Sequence, residues 1–143
     1  MEYIQFAISH WELSLALVVT LLMLGWNIYG HKIQGYTPIS AEQAVNIINK
    51  NNGLIVDVRS NKEVSKTGLI KNSKHIELSA IHSTEAKKIG DTKNSVIVIC
   101  HSGSRSGIAC SALKKKGFNQ VYNLKGGINS WIKSGYPLTK SKK

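Results

Sequence analysis

The sequence predicts an α/β domain with a central parallel sheet flanked by helices, preceded by one apolar N-terminal helix. Two runs of apolar, mostly β-branched residues, at 54–58 and 95–99, have the composition of strands buried on both faces. Segments with a helical spacing of apolar residues alternate with these runs, and no hairpin turn separates them, which is typical of parallel α/β architecture. An uncharged stretch from Leu13 to Gly30 comes first.

This uncharged stretch predicts a transmembrane helix over about residues 12–30, because a span takes about 20 residues. Trp11 at one end, with Trp26 and Tyr29 at the other, are residue types that favour membrane interfaces. A cleaved signal peptide is disfavoured, since neither a basic start nor a small-residue cleavage site is present. The other alternative is a buried core helix. The positive-inside rule predicts a single-pass protein of the inner membrane, with the N-terminus outside and the domain in the cytoplasm.

Charge and cysteine usage narrow the function classes. The formal net charge is +11, and all 19 lysine and arginine residues follow position 30. A solvated basic surface is the simplest interpretation, and attraction to membrane lipid is the alternative. Nucleic-acid binding is not predicted, because no aromatic residues accompany the lysine clusters. The two cysteines, ten residues apart, belong to one loop-helix unit, which disfavours a disulfide between them. Free cysteines indicate that the domain lies in a reducing compartment.

Capping and turn signals order the remaining elements. After a linker over residues 31–38, Ser40 and Gln43 form a capping-box pattern and predict a helix that stops at Gly53. Asn61 predicts the start of another short helix. Beyond it the predicted elements are a strand at 75–78, a helix at 83–89, the strand at 95–99, a helix to Lys116, a strand at 120–124 and a helix opening at Gly126-Gly127. The predicted domains are the anchor at 1–30, the linker at 31–38, the α/β domain at 39–138 and a basic tail at 139–143.

The stretch from Cys100 to Ser106 is the main candidate site. It follows one strand and precedes a helix, so Cys100 lies at the carboxyl end of the sheet, where ligands of open α/β sheets bind. Free N–H groups and the positive end of the helix favour thiolate over thiol, and Arg105 adds a permanent charge for stabilising an anion. Gly103 suits a backbone conformation that other residues resist. The loop therefore predicts a reactive sulfur or an anion built on it.

Other residues of the loop and its surroundings have less defined roles. The hydroxyls of Ser102, Ser104 and Ser106 are expected to point inward or to brace the turn. His101 is interpreted as solvent-facing, with donor recognition or proton transfer as the alternative. Asp57 and Arg59 lie at the same sheet edge and predict a structural pair that supports the loop. Histidine spacing indicates no metal site, and no cofactor is expected.

The soluble part resembles a single rhodanese-like domain over residues 39–138, and with the anchor the chain resembles bacterial membrane-attached single-domain rhodaneses. The residues that carry the resemblance are Asp57-Val58-Arg59, Glu63, Gly68, the loop at 100–106, Ala109, Leu113, Gly117-Phe118, Val121, Leu124, Gly126-Gly127, Trp131, Gly135 and Pro137. The resemblance implies a sulfurtransferase in which Cys100 becomes a persulfide. The implied partners are a sulfur donor such as thiosulfate and an acceptor such as cyanide or a thiol; no protein partner is predicted.

In this interpretation Cys100 and Arg105 are the catalytic residues, and the remaining loop residues at 101–104 and 106 bind the substrate. The second hypothesis is a non-catalytic rhodanese module that recruits a protein partner to the membrane. The third is an enzyme like the phosphatases or arsenate reductases, whose loops are one residue longer between cysteine and arginine. The shorter ring here suits a single sulfur atom better than a phosphoryl group. Cys110 is expected to be a buried inert thiol, with a resolving cysteine as the alternative.

Overall fold

The computed structural model describes residues 8–33, 35–51 and 53–140. Residues 1–7 of the predicted anchor and 141–143 of the predicted tail lie outside the described residues. The chain divides into two compact units, Met1–Gln34 and Gly35–Lys143. The first contains helix α1 (Trp11–Ile33), whose large apolar side chains are exposed as far as Trp26. The Thr20 hydroxyl donates to the Ala16 carbonyl at 2.8 Å within this helix.

In the part of the chain that the structure describes, no helix is both long and apolar enough to cross a membrane. The structure therefore does not support the predicted transmembrane helix over residues 12–30. The strongly apolar run from Leu13 to Trp26 is shorter than the roughly 17 residues that a minimal span needs. Contact with membrane lipid, which the basic surface also suggested, and placement at the inner membrane remain predictions.

The second unit contains a five-stranded, all-parallel sheet with the strand order β1-β5-β4-β2-β3. The strands are β1 (Thr37–Ile39), β2 (Leu54–Asp57), β3 (Lys74–His75), β4 (Ser95–Ile99) and β5 (Gln120–Leu124). Strand β4 lies at the centre, and all its residues are buried. The predicted central parallel sheet, with strands at 95–99 and 120–124, is confirmed.

Helices cover both faces of this sheet. They are α2 (Ala41–Asn51), α3 (Asn61–Thr67), α4 (Leu78–Ile81), α5 (Ala86–Ile89), α6 (Ser104–Lys115) and α7 (Gly127–Lys133). Alternate residues of β4 enter two separate cores, because successive side chains of a strand point to opposite faces. Val96 and Val98 pack in the core that includes α6, and Ile97 and Ile99 pack in the core that includes α2 and α7. Burial on both faces explains the continuous apolar run.

Helices α2 and α3 begin with capping boxes. At α2 the Ser40 N–H donates to Gln43 Oε1 at 2.9 Å and the Gln43 N–H donates to Ser40 Oγ at 3.2 Å, which confirms the predicted box. At α3 the cap is Ser60 instead of the predicted Asn61. The reason is a Ser-x-x-Glu pattern in which Glu63 bonds back to the Ser60 N–H at 3.0 Å.

Four short elements, including the unpredicted helix α4, differ from the prediction. Strand β1 was not predicted and includes Thr37 and Pro38 of the predicted linker; it lies at the sheet edge, where a proline is tolerated. Strand β3 is displaced from the predicted 75–78, because the chain turns into α4 at Leu78. Helix α5 begins at Ala86, later than predicted, and stops at Gly90 as predicted.

The end of the domain extends beyond the predicted boundary at 138. Thr139 forms an antiparallel bridge with Leu69, with N–H to carbonyl distances of 2.8 and 2.7 Å. A methyl group on the neighbouring Gly68 would lie 2.5 Å from the Thr139 carbonyl oxygen, so this contact requires glycine. Thr139 therefore belongs to the fold and not to the basic tail.

Candidate active site

Cys100 lies immediately after β4 and is fully buried. Its Sγ accepts the Gly103 N–H at 3.0 Å, and the Ser106 hydroxyl lies 3.3 Å from the same sulfur. Gly103 is the N-cap of α6, with φ at +103°, and makes no side-chain cap. The cysteine sulfur therefore occupies the place where a capping oxygen would accept the first free N–H groups of the helix.

Two carbonyl groups of the loop, those of Cys100 and Gly103, are held by hydrogen bonds to other groups. The Cys100 carbonyl accepts the Ile128 N–H at 2.8 Å from the start of α7. The Gly103 carbonyl oxygen accepts a hydrogen bond from Nδ2 of Asn123 at 3.0 Å, and Ser106 Oγ also lies 3.0 Å from this oxygen. Because groups outside the loop hold these carbonyls, the N–H groups remain directed at Sγ. The loop is a preorganised anion cradle of the kind that stabilises developing negative charge.

The two cysteines have opposite environments. Burial opposes ionisation of Cys100, but hydrogen bonds from the Ser106 hydroxyl and from the backbone N–H groups of Ser106, Gly103 and Ser102 outweigh it and lower its pKa. Burial raises the pKa of Cys110, and the charge at Cys100 raises it further. Cys110 Sγ lies 3.6 Å from the Tyr122 carbonyl oxygen in the core. The structure therefore favours ionisation of the thiol at Cys100 and disfavours it at Cys110.

The predicted loop residues do not all face the sulfur. The Ser106 side chain is buried beside Sγ, whereas the side chains of Ser102 and Ser104 are exposed. Ser102 contributes through its backbone N–H. His101 is exposed, and its Nε2 lies 3.3 Å from Nδ2 of Asn129. The structure thus brings one of the three serine hydroxyls to the sulfur.

Arg105 makes an ion pair that the sequence interpretation did not assign. Its Nη1 donates to Glu63 Oε2 at 2.8 Å and its Nη2 donates to Glu63 Oε1 at 2.6 Å, a two-pronged contact. The Arg105 guanidinium, followed by the Ser60 backbone N–H, holds the pKa of Glu63 far below its usual range. Glu63 was part of the sequence resemblance, but no role had been predicted for it.

Asn123 is a second residue that sequence reasoning missed. It lies near the end of β5 and is 7% exposed. Its Oδ1 lies 2.6 Å from the Ser106 Oγ, and its Nδ2 donates to the Gly103 carbonyl at 3.0 Å, so one amide contacts both parts of the loop. The Tyr36 hydroxyl is hydrogen-bonded to the same amide. A polar residue in the apolar run of β5 was the available signal.

Asp57 and Arg59 form a buried ion pair with an N–O distance of 2.6 Å. Arg59 also donates to the Thr67 hydroxyl and the Gly68 carbonyl, each at 2.7 Å. These hydrogen bonds join the end of β2 to the end of α3. The pair lies at the same sheet edge as the loop, but its described hydrogen bonds are made with neighbouring groups such as the Thr67 hydroxyl and the Gly68 carbonyl, and not with Cys100.

Replacing Ser106 with alanine is expected to raise the pKa of Cys100, because the hydroxyl that can donate to the thiolate is lost. A raised pKa leaves a smaller thiolate fraction at neutral pH, so the rate of Cys100 alkylation at that pH should fall several-fold. The measurement is the pH dependence of iodoacetamide alkylation. Ser104→Ala is the matched control, and an equal shift in both variants would contradict the assignment.

Similarity to known proteins is extensive. The family model of the rhodanese-like domain matches residues 40–134. A sulfurtransferase of Allochromatium vinosum is 36% identical over 87 residues, covering 59% of this chain and 77% of that protein. The thiosulfate sulfurtransferase GlpE of Actinobacillus pleuropneumoniae is 30% identical over 109 residues, covering 72% of this chain and 93% of that protein.

A solved structure supports the same relationship. The polysulfide-sulfur transferase homodimer of Wolinella succinogenes aligns with a TM-score of 0.66 and 25% identity, over 81% of this chain and 89% of that one. Relatives with these activities support a general role in sulfur transfer. Since the family model covers most of the chain and its matched region contains the Cys100 loop, the chain belongs to the rhodanese-like domain family.

Proposed function

We propose that this chain is a sulfurtransferase that carries a sulfane sulfur on Cys100 as a persulfide. The observation that carries the proposal is the Gly103 N–H directed at Cys100 Sγ at 3.0 Å, inside a loop whose Cys100 and Gly103 carbonyls are held by hydrogen bonds to other groups. A thiolate is the nucleophilic form of cysteine, and this arrangement favours it. The sulfurtransferase and polysulfide-sulfur transferase relatives are consistent with the proposal.

In the loading step, the Cys100 thiolate attacks the outer sulfur of a donor such as thiosulfate. A new S–S bond forms at Cys100 as the S–S bond of thiosulfate breaks, and sulfite leaves with the bonding electron pair. The terminal sulfur of the resulting persulfide carries the negative charge. The loop N–H groups, which already face Sγ, are placed to stabilise that charge.

In the discharge step, cyanide or a thiolate attacks the terminal sulfur. The persulfide S–S bond breaks, the electron pair returns to Cys100 Sγ, and the thiolate is regenerated. No external oxidant or reductant is needed, because the sulfur atom passes between nucleophiles. Within this scheme the loop residues 101–104 and 106 surround the transferred sulfur, and Arg105 contributes to anion stabilisation with a charge that its pairing with Glu63 reduces.

Formation of thiocyanate from thiosulfate and cyanide by the full chain tests this proposal. We expect activity in the wild type, none above background in Cys100→Ser, and near-normal activity in Cys110→Ser. The second variant is a matched control, because its serine can donate to the Tyr122 carbonyl that Cys110 now faces. Activity that survives in Cys100→Ser, or no transfer from thiosulfate or polysulfide by the wild type, would overturn the proposal.

A further inference from the structure

The charge of Arg105 is matched at close range by one carboxylate. The two-pronged contact with Glu63 joins both guanidinium nitrogens Nη1 and Nη2 to both carboxylate oxygens. The side chains of Arg105 and Glu63 are 38% and 31% exposed, so a solute in the surrounding water can approach the pair. Arg105 is the second residue of α6, and the N-cap residue of that helix, Gly103, donates its N–H to Cys100 Sγ at 3.0 Å. The pair is therefore within range of a donor that approaches the sulfur.

Glu63 is held in place independently of Arg105. Its Oε2 accepts the Ser60 N–H at 3.0 Å and the Ser60 hydroxyl at 2.9 Å, which completes the capping box at the start of α3. Turning the carboxylate away from Arg105 would break these contacts as well. The guanidinium is thus neutralised by a group fixed to the scaffold, and it does not act as a free positive charge.

This pairing affects the kind of substrate that the site attracts. An anionic donor that approaches the Cys100 thiolate is repelled by it, and a free guanidinium nearby would offset that repulsion. We propose that Glu63 is a specificity-determining residue: by neutralising Arg105, it disfavours sulfonate-bearing donors such as thiosulfate relative to sulfur donors of lower negative charge. The inference rests on the proposed function for its donors, but the charge selectivity is a property of the loop itself.

Two alkylating reagents of similar size and different charge test the selectivity directly. In the full-length Cys110→Ser chain, only the Cys100 thiol remains to react with anionic iodoacetate and neutral iodoacetamide. The ratio of the two rates cancels the thiolate fraction and the accessibility of the sulfur, since both reagents attack the same atom. We expect Glu63→Gln to raise the iodoacetate-to-iodoacetamide ratio about three- to fivefold, the effect of one nearby unit charge in water.

Glu77→Gln is the matched control. Glu77 Oε1 accepts the Asn61 N–H at 2.6 Å at the start of the same helix, so its replacement makes the same charge change. Among the contacts described for this chain, Glu77 makes none with Arg105. We expect the ratio to change little in this variant. An unchanged ratio in Glu63→Gln, or an equal rise in Glu77→Gln, would overturn the inference.

The variant Arg105→Gln should change the iodoacetate-to-iodoacetamide ratio in the opposite direction. It tests the inference even if the Glu63→Gln variant does not fold. It leaves the Glu63 charge unmatched, so the ratio should fall below that of the parent chain; an unchanged or higher ratio would overturn the inference. Glutamine at position 63 also suits a capping box, which favours a folded variant.

In the transfer assay, Glu63→Gln should lower KM for thiosulfate with little change in kcat. A raised alkylation ratio without any sulfur transfer would contradict the proposed function and leave the charge selectivity standing.

Discussion

Replacing Gly127 with alanine is expected to destabilise the domain and to reduce sulfur transfer by about 100-fold. The new methyl group would lie 2.6 Å from the His101 carbonyl carbon and oxygen, closer than the 3.0 Å that real Cβ contacts essentially always exceed. The φ angle of +58° adds strain of about 1–2 kcal/mol. The clash adds about 1–3 kcal/mol. Because the obstacle is backbone, the loop that holds Cys100 must move, and a misplacement of about 1 Å can cost about 100-fold in rate.

Gly135→Ala separates the two effects. Gly135 has a φ angle of +78°, but an added methyl group would meet nothing within 4 Å. Its replacement therefore introduces the same backbone strain without touching the loop. Urea unfolding should show a smaller loss in this variant, and the transfer rate of its folded form should be unchanged. Equal activity of the two variants would contradict the role of Gly127 in seating the loop.

Replacing Arg59 with methionine is expected to lower the free energy of unfolding by about 3–5 kcal/mol. Both side chains of the Asp57–Arg59 pair are buried, at 1% and 0% exposure. Removing the guanidinium leaves the Asp57 carboxylate in the core without its counter-charge, and the Gly68 carbonyl loses a donor at 2.7 Å. Urea unfolding measured by circular dichroism gives the change.

The double variant Asp57→Asn with Arg59→Met identifies the cause. It removes the unpaired carboxylate charge. In the wild type the backbone N–H of Arg59 donates to Asp57 Oδ1 at 3.1 Å, and the asparagine oxygen can still accept this hydrogen bond. We expect the double variant to be more stable than Arg59→Met alone, and the folded fraction of both to transfer sulfur at a near-normal rate. A double variant no more stable than Arg59→Met would show that the buried charge is not the cause.

The sequence predicts local features of this molecule well, because they depend on neighbouring residues. The β-branched run at 95–99, the glycine at 103 and the helix that follows are sufficient to place Cys100 at the carboxyl edge of a parallel sheet. The Ser40 capping box is also contained within four residues. A Ser-x-x-Glu pattern at Ser60 had the same local character and was overlooked in favour of Asn61.

The contacts that complete the site depend on the order of strands, which sequence patterns do not determine. Asn123 reaches the loop because β5 lies beside β4, and Glu63 reaches Arg105 from the helix after β2, on the other side of β4. Gly126-Gly127 predicted the start of a helix, but the packing of Gly127 against the Cys100 carbonyl depends on where that helix folds back. Strand β1 was missed because it is short and contains Pro38.

The most direct test of the central claim is the mass of the intact full-length chain after incubation with thiosulfate, followed by peptide mapping. The persulfide mechanism predicts a gain of one sulfur atom, located on Cys100 and removed by cyanide. Cys110→Ser should show the same gain, and Cys100→Ser should show none. A chain that never gains sulfur, or one that gains it on Cys110, would contradict the mechanism.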